Sequence, residues 1–110
     1  MTTDVNQLWN SKDTLQFAEV LVNIDNKVDM QNFLRDAMTE KEIIEISARL
    51  EAAKMLKAGK SYTEIVEKTK LSSRTVARIS DWLKNGMGGY EIALKTIESH
   101  HQHTSPARAE

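Results

Sequence analysis

Three features of these 110 residues predict an all-helical fold. Apolar side chains recur at i, i+3 and i+4 along most of the chain, and period-two alternation is scarce. One proline and four glycines leave long stretches uninterrupted. Two stretches, Thr39–Glu42 and Ser61–Glu64, have the Ser/Thr-x-x-Glu form of a capping box, in which hydroxyl and carboxylate satisfy each other's end-of-helix amides. The length fits one domain, expected over residues 1–98 and carrying a short helical hairpin at about 61–84.

The first helix is expected from Val5 to Asn23. Leu8, Leu15, Ala18, Leu21 and Val22 form one side, widened by Trp9, Phe17, Val20 and Ile24. That is more apolar surface than one amphipathic helix shows in so small a domain, and it reads as a subunit interface. Asp25-Asn26 breaks the chain. Val28, Met30, Phe33, Leu34, Ala37 and Met38 then space a second helix, with the methionines as core fillers. The box at Thr39 opens the longest helix, to about Ala58, whose stripe is Ile43, Ile46, Leu50, Ala53 and Leu56 with Ile44 and Met55 on a flank. Gly59 stops it, and Lys54 and Lys57 sit in the last turns where the helix dipole favours cations. Arg49 stands beside the stripe, placed to pair with Glu45 or Glu42.

Ser61 to Asn85 then reads as two short helices joined by a tight turn. Ser61 and Glu64 cap the first, and Ile65 and Val66 give it an apolar face as far as Thr69. Lys70-Leu71 is long enough only for a turn, and Lys70 stands where such turns often carry glycine. A lysine there takes the left-handed conformation at some strain. Ser72 or Ser73 caps the second helix, whose apolar positions are Val76, Ile79, Trp82 and Leu83. This is the form of a helix-turn-helix, whose second helix lies in the DNA major groove. Its outward residues are Ser73, Arg74, Thr75, Ala77, Arg78 and Asp81. Short hydroxyls and two arginines four residues apart suit phosphate and guanine contacts. A solvated hairpin with ordinary surface charges is the plainer alternative. Met30, Phe33, Leu50 and Trp82 are expected in the core. After Gly86-Met87-Gly88-Gly89 a last helix carries Tyr90, Ala93, Leu94 and Ile97. Residues 99–110 lack periodicity and read as a disordered tail, in which His100, His101 and His103 form a loose tract with nothing to orient a metal.

Net charge is −1, but it is segregated. Residues 1–48 hold four basic side chains against nine acidic ones, a net −5. Residues 49–84 hold nine basic against four acidic, a net +5, which concentrates positive field around the hairpin. Absence of cysteine excludes disulfides and thiolate chemistry and fits a reducing cytoplasm. No apolar run approaches the ~18 residues of a membrane span, and the polar, acidic opening is unlike a signal peptide. No phosphate loop, H-E-x-x-H or catalytic histidine constellation is present, so neither an enzyme nor a resident cofactor is expected.

The segment MTEKEIIEISARLEAAKMLKAGKSYTEIVEKTKLSSRTVARISDWLKNGMGGYEIAL, about Met38 to Ile97, resembles the Trp repressor family. More closely it resembles that family's short, uncharacterised bacterial Trp repressor-like branch. The specific parts are T-E-K-E-I, S-A-R-L-E-A-A-K-M-L, G-K-S-Y-T-E-I, S-S-R-T-V-A-R-I and G-x-G-G-Y-E-I-A-L; residues 1–37 match by pattern only. The resemblance implies a six-helix protomer in an intertwined two-fold dimer, with helix-turn-helix units projecting at each end. Such symmetry sets recognition helices ~34 Å apart and favours a near-palindromic operator.

In the Trp repressor, tryptophan binds between the long helix and the recognition helix, held by an arginine from each. Arg49 and Arg78 fall on those positions. The residue after the second arginine is glycine in the repressor and Ile79 here, and a β-branched side chain should fill the space the indole needs. Tryptophan is therefore not the expected corepressor, and Arg49 is left as a structural, phosphate or small-anion contact. The resulting expectation is a cytoplasmic homodimeric regulator of transcription, a repressor, binding double-stranded DNA. Lys60, Lys68 and Lys70 would contact phosphates, Ser72 and Ser73 would offer hydroxyls and amides, and Arg74, Thr75 and Arg78 would read base edges. Two alternatives stand beside it: a helical dimer that binds protein through its acidic half, and a sensor taking a small ligand between Arg49 and Arg78.

Overall fold

The computed structural model describes residues 5–108, with side chains over 7–99. Over the described residues every regular element is a helix. These are α1 (Val5–Leu8), α2 (Lys12–Asn23), α3 (Lys27–Ala37), α4 (Glu40–Lys57), α5 (Tyr62–Thr69), α6 (Ser73–Asn85) and α7 (Gly89–Arg108). The expected first helix is split in two at Trp9–Ser11. Asn10 N–H closes a turn on Gln7 C=O at 3.2 Å, and Ser11 Oγ accepts from Asp13 N–H at 3.1 Å to start α2. The Thr14 hydroxyl donates back to the Leu8 and Ser11 carbonyls. Short polar side chains that offer the backbone such partners compete with a continuous helix.

The domain expected over 1–98 divides into two compact units, one ending at Ile43 and the other starting at Ile44. In the first, Asn26 Oδ1 accepts from Asp29 N–H at 3.0 Å and opens α3 where the break was expected. The rings of Phe17 and Phe33 meet with centroids 6.3 Å apart, tying α2 to α3. Neither helix buries a side chain fully, and Val22 is 81% exposed.

The Thr39 box forms as predicted: Thr39 Oγ1 accepts from Glu42 N–H at 3.1 Å, and Glu42 Oε1 accepts from Thr39 N–H at 2.8 Å. At the far end of α4, Gly59 takes φ +85°, while its N–H and that of Lys60 reach the Leu56 and Met55 carbonyls at 3.0 Å. That arrangement satisfies terminal carbonyls and needs a left-handed residue, which glycine supplies without a Cβ clash.

The second unit has its core in Ala52 and Ala53 of α4, Ile65 of α5, and Val76 and Ile79 of α6, all fully buried. Met55, Leu56, Val66, Leu71, Leu83, Tyr90 and Leu94 pack around them. Leu71 enters from the turn between α5 and α6. The expected core of Met30, Phe33, Leu50 and Trp82 needs correction. The first three are only half-buried, and Trp82 is 42% exposed. At ~100° per residue, Trp82 falls roughly 90° off the line through Val76, Ile79 and Leu83, on the flank of α6. There it lines an open apolar hollow of about 500 Å³ with Ile46, Leu50, Met87, Tyr90 and Ala93. The single stripe expected for α4 is likewise two-sided, since Ala52 and Ala53 are buried while Ile44 and Ile46 stay exposed.

Gly86 ends α6, and a Cβ there would lie 2.5 Å from the Trp82 carbonyl oxygen, too close for any other residue without a shift. The α7 backbone stays helical through Arg108, past Ser99, where the sequence alone indicates a tail without periodicity. Once nucleated, a helix gains one bond per added residue, so lack of an apolar stripe does not by itself end it. The side chains of His100, His101 and His103 lie outside the described residues.

Ile79→Ala empties a fully enclosed site and is expected to cost ~2–5 kcal/mol, read as a lower urea midpoint with unchanged slope. A loss below ~1 kcal/mol would mean that the site is not the close-packed centre described.

Candidate nucleic-acid interface

The capping box of α5 is complete. Ser61 Oγ accepts from Glu64 N–H at 3.1 Å, and Glu64 Oε1 accepts from Ser61 N–H at 3.0 Å. The Ser61 N–H first, and then the Ser61 hydroxyl, which donates to the same oxygen at 3.2 Å, hold the Glu64 carboxyl below its ordinary value, with a smaller contribution from the Lys60 charge. At the other end Lys70 adopts φ 65°, ψ 12°, and its N–H reaches Val66 C=O at 2.8 Å. The strained lysine expected from the sequence is present, and it turns the chain sharply enough for the α6 cap, Ser72, to follow two residues later. Thr69 stiffens the turn: its hydroxyl donates to Ile65 C=O at 2.7 Å and accepts from Leu71 N–H at 3.3 Å.

Of the two candidate caps for α6, Ser72 is the one used. Its Oγ accepts from Thr75 N–H at 3.1 Å and its hydroxyl donates to Thr75 Oγ1 at 3.0 Å. The Ser72 hydroxyl is thus committed to the helix, and that of Ser73 is open. With Val76 and Ile79 fully buried, helical geometry turns Arg74, Ala77, Arg78 and Asp81 to the opposite side, and all four are exposed. Thr75 is half-buried at the flank.

The expected phosphate and base contacts divide by how they are already engaged. Among the described residues, Lys60, Lys70, Arg74 and Arg78 are exposed and make no ion pair. Lys68 differs, because its Nζ sits 3.4 Å from Glu51 Oε2 on α4. Glu51 also holds Lys54 at 3.3 Å. This role of Glu51 was not legible in the sequence: its i, i+3 spacing to Lys54 is visible, but Lys68 lies 17 residues away. A second link of the same kind, Lys57 to Glu91 at 2.7 Å, joins α4 to α7.

Arg49 pairs with Glu45 at 2.8 Å, one of the two partners expected, and its Nε is enclosed without a hydrogen-bond partner among the described residues. Arg78, on the outward side of α6, is exposed. Ile79 fills the core directly after Arg78.

Residues 12–98 match the family model described as Trp repressor protein. The chain belongs to the Trp repressor family. Among family relatives it is 30% identical over 95 residues to YerC, an uncharacterised protein of Bacillus subtilis strain 168, covering 86% of this chain and 83% of that one. The structure resembles a TrpR-like protein from Eubacterium eligens, with a TM-score of 0.78 and 28% identity, over 84% of this chain and 95% of the other. It also resembles a candidate Trp repressor from Staphylococcus aureus, with a TM-score of 0.79 and 25% identity, over 88% and 96% of the two chains. The six longer helices are thus those of a Trp repressor-like fold. No helix among the described residues is long and apolar enough to cross a membrane.

Lys70→Gly relieves the left-handed lysine, a strain of ~1–2 kcal/mol, against an entropic cost of ~0.5–1 for glycine. Net stabilisation of about 0.5–1 kcal/mol is expected in a thermal or urea melt; destabilisation would show that the Lys70 side chain contributes contacts of its own. Glu64 adds a pH dependence. Its folded value is lowered, so its contribution is whole above the ordinary 4.5 and is lost as pH falls through the folded value. Glu64→Gln should melt lower than wild type near neutrality and lose less on acidification. Parallel acid profiles would contradict the capping role.

Proposed function

We propose that this chain is a sequence-specific DNA-binding regulator of transcription, a repressor, acting as a homodimer through α6. The observation that carries the reading is the outward face of α6, where Arg74 and Arg78 stand exposed and unpaired on successive turns above a Ser72 cap. A cation without an internal partner can take up a phosphate or a guanine edge with no ion pair to break. Membership of the Trp repressor family supports a DNA partner.

In this reading α6 enters the major groove with its N-terminal end toward the bases. Arg74 and Arg78 read base edges with Thr75 beside them, and Lys60, Lys70 and the amides at Ser72 and Ser73 hold phosphates. Lys68 joins them only to the extent that it leaves Glu51. Dimerisation is supported in each unit separately by large apolar side chains left open to solvent: Leu15, Phe17 and Val22 in the first, Ile46, Met87 and Ile92 in the second. A two-fold axis would then present two copies of α6 to half-sites about one turn apart. The buried Ile79 supports regulation without tryptophan, and family membership supports a cytoplasmic protein with DNA as its principal partner.

Arg74→Ala is expected to cost ~1–3 kcal/mol on the preferred duplex and to relax base preference. Lys70→Ala should weaken binding evenly across a panel of duplexes and flatten the salt dependence by about one phosphate per protomer. Equal losses on every sequence for both variants would refute the division into reading and holding residues. Absence of DNA binding by the wild type at low salt would favour a protein-interaction module instead.

A further inference from the structure

Glu51 is the one carboxylate among the described residues that pairs with a cation of the candidate interface. It sits on α4 beside the fully buried Ala52 and Ala53, so its backbone is fixed by the core, and its side chain is only partly exposed. Each oxygen has its own lysine: Oε1 takes Lys54 at 3.3 Å, three residues along the same helix, and Oε2 takes Lys68 at 3.4 Å from the last turn of α5. Burial pushes this carboxyl upward, but hydrogen bonds and charge from the two lysines outweigh it and hold the group below its ordinary value. The carboxylate therefore stays charged.

The two lysines are not equivalent. Lys54 shares a helix with Glu51 and stays beside it whatever α5 does. Lys68 is the more exposed, carries its ammonium on a flexible four-carbon stem, and bridges two helices. If Lys68 swings away, Glu51 keeps Lys54 and is not left as an unpaired, partly enclosed charge. Exposed ion pairs of this sort are weak, so a phosphate oxygen is a competitive alternative partner.

We propose that Glu51 restrains Lys68 as an internal substitute for DNA phosphate, so that DNA must displace a carboxylate from this lysine before using it. The inference rests on the DNA-binding reading. Its consequence is a lower affinity for any duplex than the exposed cations alone would give. The base preference set by Arg74 and Arg78 is untouched, and Glu51 acts as a positioning residue without contacting a base.

The test is a double-mutant cycle with the full chain and one duplex selected by the wild type, titrated at several salt concentrations. Glu51→Gln should tighten binding about two- to fivefold at low salt, and steepen the salt slope by about 0.9 per protomer. Lys68→Ala alone should change little, because its lysine is already engaged. In the Glu51→Gln background Lys68→Ala should abolish the gain. A gain that persists without Lys68 would show that Glu51 acts only through its general negative field, and no gain would show that it does not compete with DNA; either overturns the proposal. Melting curves establish that each variant folds, and Glu51→Ala replaces Glu51→Gln in the cycle if the latter does not. Wild type that binds no duplex brings down the DNA reading itself, an outcome visible before any variant is made.

Discussion

Everything proposed for this protein depends on the contact of Ile65 with Val76 and Ile79 over Ala52 and Ala53. Helices of eight and thirteen residues are marginal on their own in water. They persist here because that cluster buries one face of each, assisted by Leu71 from the turn. The same burial determines which side of α6 faces outward. Once Val76 and Ile79 point inward, 3.6-residue periodicity sends Arg74, Ala77, Arg78 and Asp81 outward, so the polar face is a geometric consequence of the core.

The parts of the fold legible in the sequence are those set by local chemistry. The boxes at Thr39–Glu42 and Ser61–Glu64 and the cap at Ser72 each involve residues three apart, and the strained Lys70 follows from the two-residue turn. Interactions between distant segments were harder to read. Periodicity places Trp82 near the stripe of α6 but not how far round the helix the core extends, and two-sided α4 has no single face for a stripe to mark. Ser11 is a capping residue by type and lies in the polar run 10–14 between Trp9 and Leu15, but an apolar side read across that run hid the break.

The candidate site shows the same division. Its residue types and the segregated charge point to nucleic acid, and α6 presents them on one face. The state of each charge is a tertiary property. Lys68 and Arg78 look alike in the sequence, yet one is held by a carboxylate from another helix and the other stands free. Ile79 links family and individual: the fold is that of Trp repressor-like proteins, while the side chain after Arg78 is locked into the core.

The most direct test of the central claim is selection from a randomised duplex pool, followed by titration of the selected sequence at several salt concentrations. Enrichment of a near-palindrome with half-sites about one helical turn apart, bound with a steep salt dependence, is the expected result. No enrichment, with absent binding even at low salt, would contradict it and leave the α5–α6 hairpin as architecture.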